Sequence, residues 1–404
     1  MCINADQWYT SYVDTKRSVT ILLPDDADLR STVAVFQRVQ QDLSEAAFNE
    51  GKPLGALALH RAMYAQVSGT LNSQMTCSAI RLTAGAFASA KSNRKPAIRP
   101  FAFRHARALF LVGVRGRDAD FRQDGSLSIW TVAGRKRISS VVPDAFQETL
   151  ALAKEIDSLT VVERDGRLLG RVTITLEVPE PRGVLPVGID LNETNVLVAV
   201  NPDGNTLFVS GKAVKVANKR TYKTRKRIQK KHVARKAEQQ DTRRTRRLLK
   251  RLGHKRSHRT RTFAQTTGKQ LVQWAPAHSV LVFEALTVPQ PGKGMGRGKG
   301  TLRRLSQWQR QLIRTAAESK AQEVGMAVAE VNPAYTSQNC CRCGLRGVRK
   351  RHSFTCPSCR HTAHADVNAA VNIRNRFTVL RDGGQPVSLL RSPDSSELRA
   401  TPRL

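Results

Sequence analysis

A chain of 404 residues with 40% hydrophobic side chains is long enough for two or three domains with cores of their own, and none of its apolar runs approaches the ~18–20 residues that span a bilayer. Its 67 Lys and Arg face only 32 acids, a formal charge of +35 that repels itself until a polyanion neutralises it. Phosphate backbones are the expected partner and a membrane surface only a weak competitor; a start without a basic stretch or an apolar core points to the cytoplasm.

The first 180 residues alternate strands and helices. Ser18–Leu23 reads as a strand ended by Pro24. Val33, Phe36, Val39, Leu43 and Ala47 recur at helical spacing, which predicts an amphipathic helix over 29–49, and a second helix is predicted over 57–67. Strand-like runs follow at 107–112, 126–131 and 171–178. This order predicts a β-barrel built from residues 1–28 and 96–180 and interrupted by a helical insert at 29–95. Pro179–Gly183 reads as a linker.

Beyond the linker, strands at 184–190, 195–200 and 206–210 are expected to form a meander. The segment from Lys219 to Arg261 then carries about 20 basic residues and two acids, Glu238 and Asp241. Helical spacing of Ile228, Val233, Leu248, Leu249 and Leu252 favours a folded basic segment over a solvated charge run. Ser279–Glu284 reads as a buried strand. Leu302, Leu305, Trp308, Leu312, Ile313 and Ala316 mark an amphipathic helix, and residues 326–331 a further strand. Trp274 and Trp308 are expected in the core. From 381 to 404 Gly, Pro, Ser and Asp accumulate, and that tail is expected to be disordered.

Two constellations carry chemistry. Cys340-x2-Cys343 and Cys356-x2-Cys359 offer four thiolates from two tight turns, the donor set that Zn²⁺ holds tetrahedrally. Four thiolates leave no open position, so the zinc is expected to be structural. Cys2, Cys77 and Cys341 have no evident framework, and His352, His361 and His364 are expected to be bystanders. The second constellation is acidic: Asp190 and Glu284 each end an apolar strand, and Asp366 opens a helix seven residues past Cys359. Singly, such acids are more often turn formers or caps. Together, carboxylates from different elements suit hard divalent cations acting on a phosphodiester. The glycine–lysine run at 291–300 lacks the Ser or Thr that completes a phosphate loop and reads as a basic loop.

Gly188-Ile-Asp-Leu191, Val282-Phe-Glu-Ala-Leu286, Asn332–Gln338 leading into Cys340, and Asp366-Val-Asn-Ala-Ala-Val-Asn-Ile373 resemble, in type, order and spacing, the TnpB proteins of bacterial insertion sequences and the compact type V CRISPR effector nucleases. The likeness covers residues 184 to about 376. It implies a multidomain α+β protein: a wedge-type β-barrel with a helical recognition insert, then an RNase H-like RuvC α/β domain at 181–334 and 363–380. A zinc-ribbon insertion at 335–362 would bind target nucleic acid. Asp190, Glu284 and Asp366 are implied as ligands of catalytic Mg²⁺, held as a pair of ions, with Cys340, Cys343, Cys356 and Cys359 on Zn²⁺. Guide RNA and target DNA are the implied partners of a monomer or homodimer, associated with the nucleoid when bound to DNA. The basic residues Lys219, Arg220, Lys223, Arg225, Lys226, Arg227, Lys230, Lys231, Arg243 and Arg244 are assigned to a guide–target heteroduplex channel. The implied activity is RNA-guided DNA cleavage beside a short target-adjacent motif. The alternatives are an effector that depends on a CRISPR array, a guide-dependent binder that represses without cutting, and a DNA strand-transferase, which the ribbon disfavours. The N-terminal half departs from the family's usual opening, so neither guide scaffold nor target-adjacent motif carries over.

Overall fold

The computed structural model describes residues 12–48, 52–93, 97–112, 118–122, 124–285 and 310–382. The glycine–lysine loop, Leu302, Leu305, Trp308, Cys2 and the tail beyond 382 lie outside the described residues. Contacts divide the chain into two units, one running from Val13 to Glu177 and the other beginning at Val178.

In the first unit, β1 (Tyr12–Leu22) leads into α1 (Ala27–Ala47), α2 (Ala56–Val67) and α3 (Ser73–Ser92). The stripe Leu29, Val33, Phe36, Val39, Leu43 and Ala47 is the buried face of α1, as its spacing requires. Asp26 caps that helix, accepting the Leu29 amide at 2.9 Å, which places the start two residues ahead of the sequence expectation. The strands that follow are β2 (Arg107–Leu111), β3 (Ala119–Phe121), β4 (Ser126–Thr131) and β5 (Gly134–Ser139), then, after α4 (Asp144–Ala151), β6 (Ala153–Arg164) and β7 (Arg167–Pro179). They pair as a four-stranded sheet, β1-β7-β6-β2, and a three-stranded sheet, β3-β4-β5; Leu22 also bridges to Val141, just past β5.

The second unit begins with a meander of β8 (Leu185–Asp190), β9 (Asn195–Val200) and β10 (Thr206–Ser210). Two long helices, α5 (Lys212–Ala237) and α6 (Arg243–Trp274), lead to β11 (Ser279–Glu284). Next come α7 (Arg310–Glu323), β12 (Ala327–Val331), the short strands β13 (Val348–Lys350), β14 (Ser353–Thr355) and β15 (Thr362–His364), and finally α8 (Ala365–Asp382). The five-stranded sheet has the order β10-β9-β8-β11-β12, with β11 parallel to both β8 and β12.

Period-two alternation gives this sheet two distinct faces. Ile189, Leu197, Leu281 and Phe283 cluster with Leu271 of α6 and with Ile313 and Ala317 of α7. The opposite face, with Val280, Val282, Ala327 and Ala329, clusters with Ile373 and Phe377 of α8. Gly188 is where α8 comes closest to the sheet: a Cβ there would lie 2.7 Å from the Arg374 amide nitrogen and inside the Ala370 carbonyl. Gly268 does the same for α6 against α7, where a Cβ would fall 2.7 Å from the Ala317 nitrogen.

The basic segment is two helices, broken at Glu238–Thr242 with Gln239 in the left-handed region (φ 55°). They lie together through Arg259 Nη1 donating to Asn218 Oδ1 at 3.2 Å and a 2.7 Å contact between His232 Nδ1 and Thr245 Oγ1. Val233, read from sequence as part of an apolar spacing, is 65% exposed. Among the described residues no helix is long and apolar enough to cross a membrane.

Candidate active site and cysteine ribbon

Alternation along β8 puts Gly188 and Asp190 on the face that carries α8, and alternation along β11 puts Val282 and Glu284 there too. The parallel register pairs Gly188 with Val282, so each acid stands two residues further on, at neighbouring strand ends. Asp366, in the first turn of α8, is 1% exposed and reaches the same place. Asp190 feels both other acids: burial first, then the charge of Glu284, then that of Asp366, push its carboxyl up to about 7. The three acids predicted from sequence are therefore brought together. Three carboxylates within electrostatic reach of one another at neighbouring element ends could take up a hard divalent cation.

Several polar neighbours hold these acids. Asn192 Nδ2 donates to Asp190 Oδ2 at 2.6 Å, and Asn195 Nδ2 donates to Asp366 Oδ2 at 3.0 Å, so the β8–β9 turn serves two carboxylates. Arg349, from β13, pairs with Asp366 Oδ1 at 2.7 Å, and Arg310, at the start of α7, stands 3.8 Å from Glu284 Oε2. Burial lowers the Arg310 pKa, while Glu284 and Asp190 favour its charged form. A small cleft lined by Ile189, Leu191, Phe283, Glu284, Arg310 and Arg314 opens beside Glu284.

The four cysteines of the predicted metal site also converge. Their sulfurs lie within 4.8 Å of one another, with Cys340–Cys359 and Cys343–Cys356 each at 3.6 Å. A tetrahedral ion with ~2.3 Å metal–sulfur bonds places sulfurs about 3.8 Å apart, so the set fits Zn²⁺. Each knuckle is closed by a left-handed residue, Gly344 (φ 76°) after the first pair and Arg360 (φ 57°) after the second. Amide donation within the second knuckle, first from Cys359, pushes the Cys356 thiol down to about 6. Phe354, fully buried, clusters with Cys340, Cys356 and Ala365. Cys341 stands beside the site with its thiol 3.5 Å from His361 Nε2, and burial raises its pKa. His352 and His364, expected as bystanders, place ring nitrogens within 4.8 Å of an Asp366 oxygen.

Two asparagines of α8 grip the ribbon's base. Asn368 accepts the Cys341 amide at 2.9 Å and donates to the Asn339 carbonyl at 2.8 Å, and Asn372 donates to the Thr336 and Asn339 carbonyls at 2.8 and 2.7 Å. Thr336 in turn donates its hydroxyl to Glu284 Oε1. These asparagines were legible only as members of a motif, since their partners are backbone groups some thirty residues away.

Of the ten basic residues assigned to nucleic acid, Lys219, Arg220, Lys223, Lys226, Arg227, Lys230, Lys231, Arg243 and Arg244 are exposed on α5 and the start of α6. Arg225 is half-buried and turned toward Gly253 of α6.

Comparison with known proteins adds independent findings. Residues 169–291 match a family model described as "Probable transposase", and residues 311–373 match the "Cas12f1-like, TNB domain" model. A TnpB-like protein of Aquifex aeolicus is 32% identical over 119 residues, which are 28% of this chain and 38% of that protein. The CRISPR-associated endodeoxyribonuclease Cas12f1 of Sulfoacidibacillus thermotolerans is 44% identical over 57 residues, 13% of this chain and 14% of that one. The chain thus aligns with well under half the length of these two relatives. Among solved structures, a Cas12f1–sgRNA–target DNA complex superposes with a TM-score of 0.57 at 14% identity, covering 86% of this chain and 81% of the other.

Proposed function

We propose, from the premise that the chain belongs to the TnpB and type V CRISPR effector family, that it is an RNA-guided DNA endonuclease with one RuvC-type active site. The observation that carries this reading is the convergence of Asp190, Glu284 and Asp366 from two strand ends and one helix start onto a single face of the sheet. A protein that only bound its target would have no use for three carboxylates gathered at two neighbouring strand ends and a helix start.

In this reading residues 181–334 and 363–380 form the RNase H-like nuclease domain and 335–362 its zinc ribbon. Residues 1–28 and 96–180 form the wedge, with 29–95 as the recognition insert. The exposed basic residues of α5 and α6 take up the backbone of the guide–target duplex, which is read by shape rather than by sequence. Asp190, Glu284 and Asp366 would hold Mg²⁺, which supplies Lewis acidity at a scissile phosphate. The chain's own groups do the rest. Asn192, Asn195 and Thr336 fix the directions of the three carboxylates. Arg349 and Arg310 offer guanidinium groups to phosphate oxygens beside them. Hydrolysis adds water at phosphorus, breaks the bond to the 3′ oxygen and leaves that oxygen to take a proton.

The test is to purify the chain with co-expressed nucleic acid, sequence the RNA that copurifies, and assay guide-matched DNA with Mg²⁺. Specific RNA and cleavage that Asp190→Ala abolishes are expected. Equal cutting by Asp190→Ala would overturn the assignment of the active site, and binding without cutting by the parent would favour the repressor reading.

A further inference from the structure

We infer that Phe208, His364 and His352 form a stacking platform for an unpaired nucleobase of the strand being cut, beside the scissile phosphate. The inference deepens the nuclease reading and rests on it.

Its first support is register. Phe208 pairs with Val198 and Val198 pairs with Asp190 in consecutive antiparallel ladders, so the three side chains share one row and one face of the sheet. With strands ~4.8 Å apart, Phe208 stands about 10 Å from Asp190, within reach of a nucleotide flanking a phosphate held at the acids. This is the α8 face, where Asp366 arrives.

The second support is the arrangement of rings. The Phe208 ring meets His364 edge-on at 5.1 Å between centroids, and His364 stacks on His352 at 5.5 Å with planes 23° apart. The row leads from the sheet edge past the catalytic acid, since His364 Nδ1 is 3.9 Å from Asp366 Oδ2. A contact that served only to glue the ribbon to β10 would be covered, yet Phe208 is 47% exposed and His352 is exposed as well. A phenyl ring left half-exposed on the outermost described strand of the sheet suits a partner that has a flat π-face and charged flanks. Arg349, Lys350 and Arg351 supply the opposite charge immediately alongside, with Lys350 and Arg351 exposed and Arg349 already on Asp366. Aromatic faces for bases and cations for the backbone are how single strands are held without sequence preference.

The test uses the full chain with its guide RNA and guide-matched DNA in which single nucleobases near the cut are replaced, one at a time, by abasic residues. The parent should show one position where the abasic residue slows cleavage on the order of tenfold. Phe208→Ala, with or without His352→Ala, should cut more slowly but lose that position-dependent penalty, and Phe208→Trp should restore it. Uniform slowing of every substrate by Phe208→Ala would mean that the rings only brace the ribbon, and would overturn the inference. The companion measurement needs no cleavage: 2-aminopurine at the same position of a single strand should be quenched by the parent and not by Phe208→Ala. Quenching without cutting would sink the nuclease reading and leave the platform standing. Cutting with neither quenching nor an abasic penalty would sink the platform alone.

Discussion

Thr336 donates its hydroxyl to Glu284 at 2.5 Å, while its carbonyl accepts from Asn372 at 2.8 Å, so the base of the ribbon, the end of β11 and α8 share one hydrogen-bond path. Valine at 336 keeps the shape and removes the donor, leaving a largely buried carboxylate short of a partner at a cost of roughly 1–3 kcal/mol. Thr336→Val should therefore slow Mg²⁺-dependent cleavage by about 5- to 150-fold, with Thr336→Ser close to the parent. Single-turnover rates at saturating Mg²⁺ check this; equal rates for Val and Ser would show that Glu284 is aimed by other contacts.

Gly188 is irreplaceable for a different reason. Its missing side chain is the space occupied by the α8 backbone at Ala370 and Arg374, and backbone cannot swing aside as a long side chain can. Gly188→Ala should destabilise this unit by about 3 kcal/mol and shift Asp366 away from Asp190. Thermal melting, where about 1 kcal/mol corresponds to roughly 2–4 °C, reads the first effect and loss of cleavage the second. A variant that melts with the parent would mean that α8 slides at no cost.

The legibility of this protein in its sequence follows residue chemistry. Strands such as Ser279–Glu284 were readable because they are short apolar runs closed by an acid, and the knuckles because thiolate spacing has few other uses. Helix α3 was not read, since its buried face is built from Thr76, Ser78, Ala79, Thr83 and Ala84 as much as from Met75, Ile80 and Phe87, which dilutes the apolar period. Strand β6 was missed because Lys154, Glu155, Glu163 and Arg164 fill its exposed ends and Asp157 interrupts its apolar run. In the candidate site, the three acids were visible as strand and helix ends. Asn192, Asn195, Thr336 and Arg310 were not, and Arg349 was visible only as one of the ribbon's cations, because a polar side chain declares its role only when a distant partner is brought to it. The break at Glu238–Thr242 coincides with the segment's two acids, Glu238 and Asp241, but carries neither the Gly nor the Pro that usually marks a turn.

The ribbon has a small core, Phe354 with two of the cysteines and Ala365, and would lean on a metal held by its four cysteines. One zinc per chain is expected by elemental analysis. Cys356→Ser should lose it and raise amide exchange throughout 338–364, with the β1–α3 region unchanged. Cleavage should fall with the ribbon, because Arg349 and Thr336 lose their places beside Asp366 and Glu284. Full protection of 338–364 in zinc-free protein would show that the hydrogen bonds from Asn368 and Asn372 suffice.

The raised Asp190 carboxyl makes stability depend on pH with a definite sign. Between the ordinary value of 3.8 and about 7, the folded protein holds a proton that the unfolded chain has released. Stability therefore falls as pH rises through that interval and levels off above it. Zinc-loaded protein without added Mg²⁺ should show a melting midpoint that drops from pH 5 to pH 7.5 more steeply than that of Asp190→Asn, in which this titration is gone. Added Mg²⁺ should narrow the difference by competing with the proton. A parent profile parallel to that of Asp190→Asn would mean that neither burial nor the neighbouring acids raise the Asp190 carboxyl.

The exposed cations of α5 make the last prediction quantitative. Arg225 is half-buried against α6, so altering it confounds packing with charge, whereas Lys226, Arg227 and Lys230 are exposed. Each phosphate contact contributes about 0.7–0.9 to the slope of log affinity against log salt. Reversing these three to Glu should weaken retention of guide RNA at moderate salt and flatten that slope by about 2–3, with no change in the melting midpoint. Filter binding across a salt titration checks it. Weaker binding with an unchanged slope would point to a misfolded hairpin, and unchanged binding would place the RNA on another surface.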